Sequence, residues 1–157
     1  RSQTISQPYV VARMTEALIE FGLPQNVLEL GTGSGYQAAV LAMLVKQVNS
    51  VERIEELSRT ARKRFRKLGF SNVRARFEDG RLGWSEHAPF DAIIVTAATE
   101  RVEPQLIAQL RPGGVFIAPV GGPDGQRLMR LRWIEDRWQQ EDLGPAMFVP
   151  LLGGTLG

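Results

Sequence analysis

The chain has 157 residues, of which 43% are hydrophobic and 23% are charged; this is the size and balance of one globular domain and excludes a disordered or coiled-coil protein. With no cysteine and one histidine, disulfides, thiolate nucleophiles and a histidine-based metal site are excluded, and no metal is expected. The net charge of +2 is too small to indicate a nucleic-acid partner. No apolar stretch reaches the roughly 18 residues of a membrane-spanning helix, and no signal peptide is recognised. These features predict a cytoplasmic protein without a membrane partner.

Short β-rich segments alternate with longer helical patterns along the chain. Helices are predicted at 8–21, 36–46, 53–68 and 103–110. Strands are predicted at 26–30, 48–51, 73–77, 90–95, 115–120, 126–134 and 137–143. This order predicts an α/β fold, a doubly wound, mostly parallel Rossmann-like sheet with antiparallel C-terminal strands. No linker or repeat interrupts the pattern, so residues 1–157 are predicted to form one domain.

A glycine-rich turn follows the first predicted strand, and polar residues follow the other parallel strands. Glycines at 31, 33 and 35 allow a tight turn and a close approach of backbone to a ligand. The lysine of a phosphate-binding loop is absent, and Tyr36 stands where the dinucleotide fingerprint needs glycine or alanine. Ligands of such sheets bind beyond the carboxyl ends of the strands. Candidate ligand-contacting residues are therefore Glu29 to Gly35, Glu52, Asp79, Gly80 and Thr96.

The negative charge expected on Glu29 distinguishes between the remaining candidate ligands. A carboxylate about 4 Å from a pyrophosphate would cost on the order of 4 kcal/mol per unit charge at an effective dielectric constant of about 20. The same carboxylate attracts an ammonium or a sulfonium group. S-adenosylmethionine has both cations and no phosphate, so the turn favours this ligand over a dinucleotide.

Two further acids complete the predicted pocket. Glu52 lies about 20 residues after Gly31, where an acid accepts hydrogen bonds from the ribose hydroxyls. Asp79 could accept from the adenine amino group, while Gly80 leaves room for the ring. Taken alone, the glycines can be a plain strand-to-helix turn, and Glu52 can be a helix N-terminal acid. The three features in this order favour S-adenosylmethionine as the cofactor and S-adenosylhomocysteine as its product.

Four segments resemble the protein-L-isoaspartate O-methyltransferase family along essentially the entire chain. They are Gln3 to Pro8, Val27 to Tyr36, Phe90 to Ala98, and Phe148 to Leu151. The glycine motif is common to many methyltransferases, whereas Thr-Ile-Ser-x-Pro and Phe-Val-Pro-Leu are much more specific. The resemblance implies a class I methyltransferase fold and a repair enzyme that methylates the free α-carboxylate of L-isoaspartyl residues in damaged proteins and peptides.

The resemblance also implies roles for individual residues. Ser6 would be the active-site serine that orients the substrate carboxylate, with Ile5 and Val149 also on the substrate side. A cap for the helix that follows is the other role open to Ser6. Glu29, Gly31, Gly33 and Gly35 would hold the methionine part of the cofactor, Glu52 the ribose, and Asp79 with Gly80 the adenine. Thr4, Thr32, Ser34 and Thr96 would complete the cofactor site.

The sequence departs from the family pattern in one respect. Members usually carry a helical segment before Thr-Ile-Ser, and this chain begins just ahead of Ser6. We therefore expect part of the active-site wall to be absent or mobile in this chain, which bears on catalysis more than on cofactor binding. A monomer is expected.

Three other functions remain open at this point. An amino-group nucleic-acid methyltransferase would show an Asp/Asn-Pro-Pro-aromatic loop, where this chain has Thr96-Ala97-Ala98-Thr99, and a base-carbon enzyme would need a cysteine. A non-enzymatic protein could bind S-adenosylmethionine as a regulatory ligand. A nicotinamide dehydrogenase is disfavoured by Glu29 and Tyr36.

Overall fold

The computed structural model describes residues 8–157, so Thr4, Ile5 and Ser6 lie outside the described range. Its helices are α1 (Pro8–Ile19), α2 (Tyr36–Ala42), α3 (Glu55–Lys67) and α4 (Pro104–Ile107). Its strands are β1 (Asn26–Leu30), β2 (Gln47–Glu52), β3 (Val73–Phe77), β4 (Phe90–Val95), β5 (Leu110–Gly122), β6 (Gly125–Ile134) and β7 (Arg137–Ala146).

The strands form a seven-stranded sheet in the order β3-β2-β1-β4-β5-β6-β7. Strands β1 to β5 pair in parallel, whereas β5, β6 and β7 pair in antiparallel fashion. The predicted fold class is confirmed. From β1 the chain first builds outward through β2 to β3, and then returns to the other side of β1 for β4. The strand order therefore reverses between β1 and β4, which is where such sheets bind ligands.

The centre of the sheet is buried on both faces, as the apolar runs in β1 and β4 predict. On one face, Met14 of α1, Leu41 of α2 and Phe65 of α3 pack with Val27 and Ile94. On the other face, Leu28, Ile93 and Phe116 pack with Leu106 of α4. The side chains of β1 and β4 thus alternate between two apolar layers, and the sheet edge carrying the glycine turn is held rigidly between them.

Several helices are shorter than predicted because the chain must turn toward the next strand. Helix α1 ends at Ile19, whose carbonyl accepts from the Gly22 N–H at 3.0 Å, rather than at 21. Helix α2 ends at Ala42 rather than 46, and the Leu41 carbonyl accepts from Val45 at 2.9 Å as the chain enters β2. Helix α3 spans Glu55–Lys67 rather than 53–68, since Ile54 is extended and caps its start.

The C-terminal strands are longer than predicted, and α4 is correspondingly shorter. Strand β5 begins at Leu110 rather than 115, so α4 ends at Ile107. The Pro-Gly-Gly sequence at 112–114 forms an irregularity inside the strand, because Phe90 pairs with Leu110 and Ala92 already pairs with Val115. Strand β7 extends to Ala146, beyond the predicted 143, because Gln126 pairs with Ala146.

Two features are absent from the described residues. No helix in residues 8–157 is both long and apolar enough to cross a bilayer. Over the same range, no three His, Asp or Glu side chains are grouped so that they could hold a metal ion.

Candidate active site

A cavity of about 860 Å³ opens at the carboxyl ends of β1, β2 and β4, where the strand order reverses. This volume suits a ligand of nucleoside size or larger. Seven of the predicted cofactor residues line it: Gly31, Thr32, Gly33, Ser34, Glu52, Gly80 and Thr96. The predicted substrate residue Val149 also lines it. Ser6, Thr4 and Ile5 lie outside the described residues.

The glycine turn after β1 needs its glycines for two different reasons. Gly31 has a φ of 95° and Gly33 a φ of 54°, a region that L side chains seldom adopt. A Cβ at Gly31 would also lie 2.5 Å from the Thr96 hydroxyl oxygen. That hydroxyl donates to the Gly31 carbonyl at 2.6 Å, so Thr96 fixes the turn from the end of β4. At Gly31 and Gly33 the cavity wall is therefore formed by backbone atoms.

Glu52, the last residue of β2, hydrogen-bonds the glycine turn after β1 and the residue that precedes α3. Its Oε1 accepts from the Gly33 N–H at 2.9 Å, and its Oε2 accepts from the Ile54 N–H at 2.9 Å. The side chain is 6% exposed and lines the cavity. Among the described residues that form the cavity wall, Glu52 is the one acid. A carboxylate has about four acceptor sites, so two remain for hydroxyl groups of a ligand.

Glu29 lies beneath the turn rather than in the cavity wall. It is 0% exposed, and its Oε1 accepts from the Ser50 hydroxyl at 2.6 Å. Ser50 in turn hydrogen-bonds the Thr32 hydroxyl at 2.5 Å, and Thr32 reaches the cavity. Glu29 Oε2 has no hydrogen-bond partner among the described residues. Glu29 is thus connected to the cavity through two hydroxyl groups.

Burial raises the pKa of Glu29 to about 8, because the loss of solvation outweighs the hydrogen bond from Ser50, and the nearby Glu52 raises it further. At neutral pH the Glu29 carboxyl is therefore predominantly protonated. This finding changes the electrostatic argument from the sequence, which placed the selecting charge on Glu29. The acid that faces the cavity is Glu52, and Glu29 contributes a neutral carboxyl below it.

Asp79 and Gly80 follow β3 at the same edge, but only Gly80 lines the cavity. The Asp79 carboxylate accepts hydrogen bonds from Arg81 and from the Gly154 N–H, which lies 2.8 Å from Oδ2. Burial acts to raise the pKa of Asp79, yet these hydrogen bonds outweigh it and hold the pKa below its ordinary value. Gly35 is also absent from the cavity wall; it caps α2 with a φ of 90° and packs against Phe65.

Other parts of the cavity wall come from α1 and from the segment after β7. Tyr9, Val10 and Arg13 contribute from α1, directly after the predicted serine segment. Met147 and Phe148, which follow β7, also line the cavity. Sequence reasoning missed Tyr9, Val10 and Arg13. Their position directly after the predicted Ser6 segment was a usable signal, because residues next in sequence to a predicted site residue are candidates for the same site.

Comparisons with known proteins give a consistent result for nearly the whole chain. Residues 1–156 match the family described as Protein-L-isoaspartate(D-aspartate) O-methyltransferase (PCMT). A protein-L-isoaspartate O-methyltransferase of Stenotrophomonas maltophilia (strain K279a) is 57% identical over 155 residues, which cover 98% of this chain and 68% of that protein. The protein of the same name from Xanthomonas campestris pv. campestris (strain B100) is 56% identical with the same coverage.

Solved structures show the same fold. A structure named protein-L-isoaspartate O-methyltransferase matches with a TM-score of 0.87 at 31% identity, over 99% of this chain and 50% of that chain. A structure from Plasmodium falciparum, named as such an enzyme in complex with S-adenosyl-L-homocysteine, matches with a TM-score of 0.81 at 23% identity, over 97% of this chain and 77% of that chain. This chain therefore spans half of the first structure and about two thirds of the bacterial relatives.

The sequence match, the sheet order and the cavity at the strand-order reversal lead to one assignment. The chain belongs to the protein-L-isoaspartate O-methyltransferase family, whose members are S-adenosylmethionine-dependent enzymes that methylate isoaspartyl residues of proteins.

Proposed function

We propose that this chain binds S-adenosylmethionine at the carboxyl edge of the sheet and transfers its methyl group to the free α-carboxylate of L-isoaspartyl residues in damaged proteins and peptides. The observation that carries the proposal is Glu52, an acid that is bound to the glycine turn and lines a cavity of about 860 Å³. The Glu52 carboxylate can accept hydrogen bonds from a ribose, and the exposed backbone of the glycine turn beside it leaves room for the amino-acid part of the same ligand.

The proposed reaction requires little acid-base catalysis from the protein. A peptide α-carboxylate has a pKa of about 3.5 and is ionised at neutral pH, so no general base is needed. The single histidine, His87, lies in a short helical turn against Trp84 and is not in the cavity wall. When bound, S-adenosylmethionine supplies an electrophilic methyl group on a positively charged sulfur. The protein contributes alignment, which can reach effective molarities of about 10⁵ M or more.

Each part of the cavity has a role in this alignment. Glu52 accepts hydrogen bonds from the ribose hydroxyls, and the turn at Gly31 and Gly33 approaches the methionine part. Ser6 orients the substrate carboxylate by a hydrogen bond, while Val149 and the first turns of α1 hold the peptide around it. The resemblance of the Thr-Ile-Ser and Phe-Val-Pro-Leu segments to the family supports these last assignments.

We further propose that the protein acts in the cytoplasm as a monomer, with no nucleic acid or membrane as partner. The absence of cysteine suits a reducing compartment, and the net charge of +2 offers little attraction to polyanions.

The proposed reaction predicts discrimination between two isomeric peptides. With labelled S-adenosylmethionine, the chain should methylate an isoaspartyl peptide and leave the aspartyl peptide of the same sequence at background, since only the former has a free α-carboxylate at that residue, whereas the latter has a free β-carboxylate on its side chain. Scintillation counting of both reactions measures the ratio. Equal labelling of the two peptides would contradict the proposal, and labelling of RNA with neither peptide modified would favour a nucleic-acid methyltransferase.

Ser6 should affect turnover and leave cofactor binding unchanged. We expect Ser6→Ala to lower kcat/KM for the isoaspartyl peptide by about tenfold or more, because a hydrogen bond to a charged group is lost. The dissociation constant of S-adenosylhomocysteine, measured by calorimetry, should not change. Ser71→Ala, at an exposed serine, is the control. A comparable loss in turnover and in cofactor affinity would refute the assigned role.

A substitution at Glu52, unlike one at Ser6, should weaken cofactor binding. In Glu52→Gln one carboxylate oxygen becomes a donor, so the side chain cannot serve both Gly33 and Ile54 and also accept from a ribose. We expect S-adenosylhomocysteine to bind about ten- to a hundredfold more weakly. Glu86→Gln, at an exposed acid, should bind like the wild type. An unchanged affinity in Glu52→Gln would remove Glu52 from the cofactor site.

The protonation of Glu29 should appear in the pH dependence of stability. Its pKa of about 8 in the folded protein lies above its ordinary value of 4.5, so the folded state holds a proton that the unfolded chain releases between these values. Glu29 therefore destabilises the fold increasingly as pH rises through this window, by up to about 1.4 kcal/mol per pH unit. Glu29→Gln mimics the neutral form and should not show this loss.

The measurement is urea unfolding of wild type and Glu29→Gln at pH 5, 6.5 and 8. The free energy of unfolding of Glu29→Gln should increase relative to that of the wild type with rising pH, whereas Glu86→Gln should follow the wild type. A difference that stays constant across the three pH values would show that Glu29 keeps its ordinary pKa in the folded protein.

A further inference from the structure

Arg130 of β6 is a buried cation that lies outside the cavity wall. Its side chain is 5% exposed and lies between α1 and the hairpin formed by β6 and β7. On the hairpin side, its Nε and Nη2 donate to the two carboxylate oxygens of Glu141 in β7 at 3.1 and 2.7 Å. On the helix side, its Nη1 donates to the Ala17 carbonyl at 2.9 Å and lies 2.6 Å from Oε2 of Glu20, the residue after α1. These four residues are here named the Arg130 joint.

The end of α1 needs such a partner, because the helix itself does not supply one. The last four carbonyl groups of an α-helix lack a partner within the helix, and a positive charge beside them is stabilising. The last turn of α1 contains no basic residue. Arg130 donates to one of these carbonyls, and the ring of Phe21 lies 4.7 Å from the guanidinium carbon of Arg130 and 3.3 Å from that of Arg132. Strand β6 therefore supplies the cations that hold the end of α1.

The elements that the Arg130 joint connects are also elements that wall the cavity. Arg130 and Glu141 lie opposite each other in the pairing of β6 with β7. Leu128 of β6 and Leu143 of β7, each two residues away along its strand, belong to the apolar layer beneath α1 and line the cavity. Val10 of α1 packs in the same layer and lines the cavity too. The joint thus lies directly behind the part of the wall that α1 shares with the hairpin.

The direction of α1 depends on polar contacts more than on its apolar ones. Met14 and Leu18 hold the helix on the sheet, but hydrophobic burial is non-directional and sets no angle. Hydrogen bonds have preferred angles. The Gln37 side chain of α2 donates to the Thr15 hydroxyl at 2.8 Å and holds the middle of α1 toward α2. Arg130 holds the end of the helix toward the hairpin, so these two contacts together define how α1 lies across the sheet.

We propose that Arg130 is a positioning residue that fixes the direction of α1 relative to β6 and β7, and thereby the shape of the peptide-binding part of the cavity. The inference rests on the proposed function for the identity of the peptide. The proposed cofactor contacts at Gly31, Gly33 and Glu52 follow β1 or end β2, which the Arg130 joint does not include. Arg130 therefore acts on peptide binding and leaves cofactor binding unchanged.

The first test needs neither cofactor nor peptide. Because the chain has no cysteine, Ala12→Cys on the exposed side of α1 and Gln140→Cys on β7 can carry two spin labels, and pulsed electron paramagnetic resonance gives the distance between them. Arg130→Met removes the ion pairs and keeps a long apolar side chain, a replacement that buried ion pairs often tolerate. The distance distribution should shift or broaden in Arg130→Met. Arg127→Met removes the ion pair with Asp142 on the same hairpin and should leave the distribution unchanged.

A distance distribution in Arg130→Met equal to that of the wild type would overturn the proposal. So would an equal change in Arg130→Met and Arg127→Met, because loosening of the hairpin by itself would then account for the movement.

The second test is the methyl-transfer reaction with the isoaspartyl peptide. We expect Arg130→Met to raise the KM for the peptide about tenfold, with kcat changed by less than about threefold and the dissociation constant of S-adenosylhomocysteine unchanged. Arg130→Lys keeps a cation in the joint and should bring the KM back toward the wild-type value. A merely structural role would lower the amount of folded enzyme, and hence the apparent kcat, and leave the KM for the peptide unchanged. That result would overturn the proposal.

Glu20→Gln tests the helix side of the joint without burying an unpaired charge, since Glu20 is 54% exposed and Arg130 keeps Glu141. This change should raise the KM for the peptide about threefold, as the loss of a partly exposed ion pair allows. Combined with Arg130→Met it should raise the KM no further than Arg130→Met alone, because both changes remove the same contact. Effects on KM that multiply in the combination would contradict action through the joint.

The two tests also distinguish this proposal from the proposed function. A wild-type chain that methylates no isoaspartyl peptide would refute the proposed function, while the spin-label distances would still decide whether Arg130 sets the direction of α1. Methylation by the wild type, with the same KM for the peptide in Arg130→Met, would leave the function standing and refute the role of Arg130.

Discussion

The cavity depends on one carboxylate that joins three elements at their ends. Glu52, the last residue of β2, accepts from the backbone of the glycine turn after β1 and from the backbone at the start of α3. Since hydrogen bonds to a charged group are among the stronger ones in proteins, Glu52 fixes the floor before any ligand arrives. The remaining polar groups of the site are arranged around this junction.

Two acids that look alike in the sequence, Glu29 and Glu52, differ in burial and in charge in the folded protein. Glu29 is the second-to-last residue of β1 and Glu52 the last residue of β2, but Glu29 is buried below the turn and retains its proton, whereas Glu52 reaches the cavity. Two negative charges so close together in a dry environment would repel each other, and burial resolves this by neutralising the deeper one. The negative side chain offered to a cationic methyl donor is then Glu52, with a neutral hydroxyl and carboxyl network behind Thr32.

Sequence reasoning predicted many of the residues that line the cavity at the carboxyl edge of the sheet, because local patterns specify them. Glycines, a strand-terminal acid and the β-α alternation together define positions at the carboxyl edge, and Gly31, Gly33, Glu52 and Thr96 all lie there. It could not foresee that Asp79 is engaged by Gly154, because that contact joins residues 75 positions apart and depends on the path of the C-terminal segment. It also misjudged the charge of Glu29, since complete burial is a property of the folded core. Strand β5 is longer than predicted because it pairs with β4 on both sides of a Pro-Gly-Gly sequence, which in isolation favours a turn.

Calorimetric titration of the wild-type chain with S-adenosylhomocysteine and, separately, with NAD⁺ tests the central claim most directly. A cavity whose one acidic wall residue within residues 8–157 is Glu52 should bind the phosphate-free nucleoside with saturable heat and show no binding of the dinucleotide, because Tyr36 stands where a dinucleotide site needs glycine or alanine. Tight binding of NAD⁺ with none of S-adenosylhomocysteine would contradict the account, because the junction at Glu52 would then serve a different ligand.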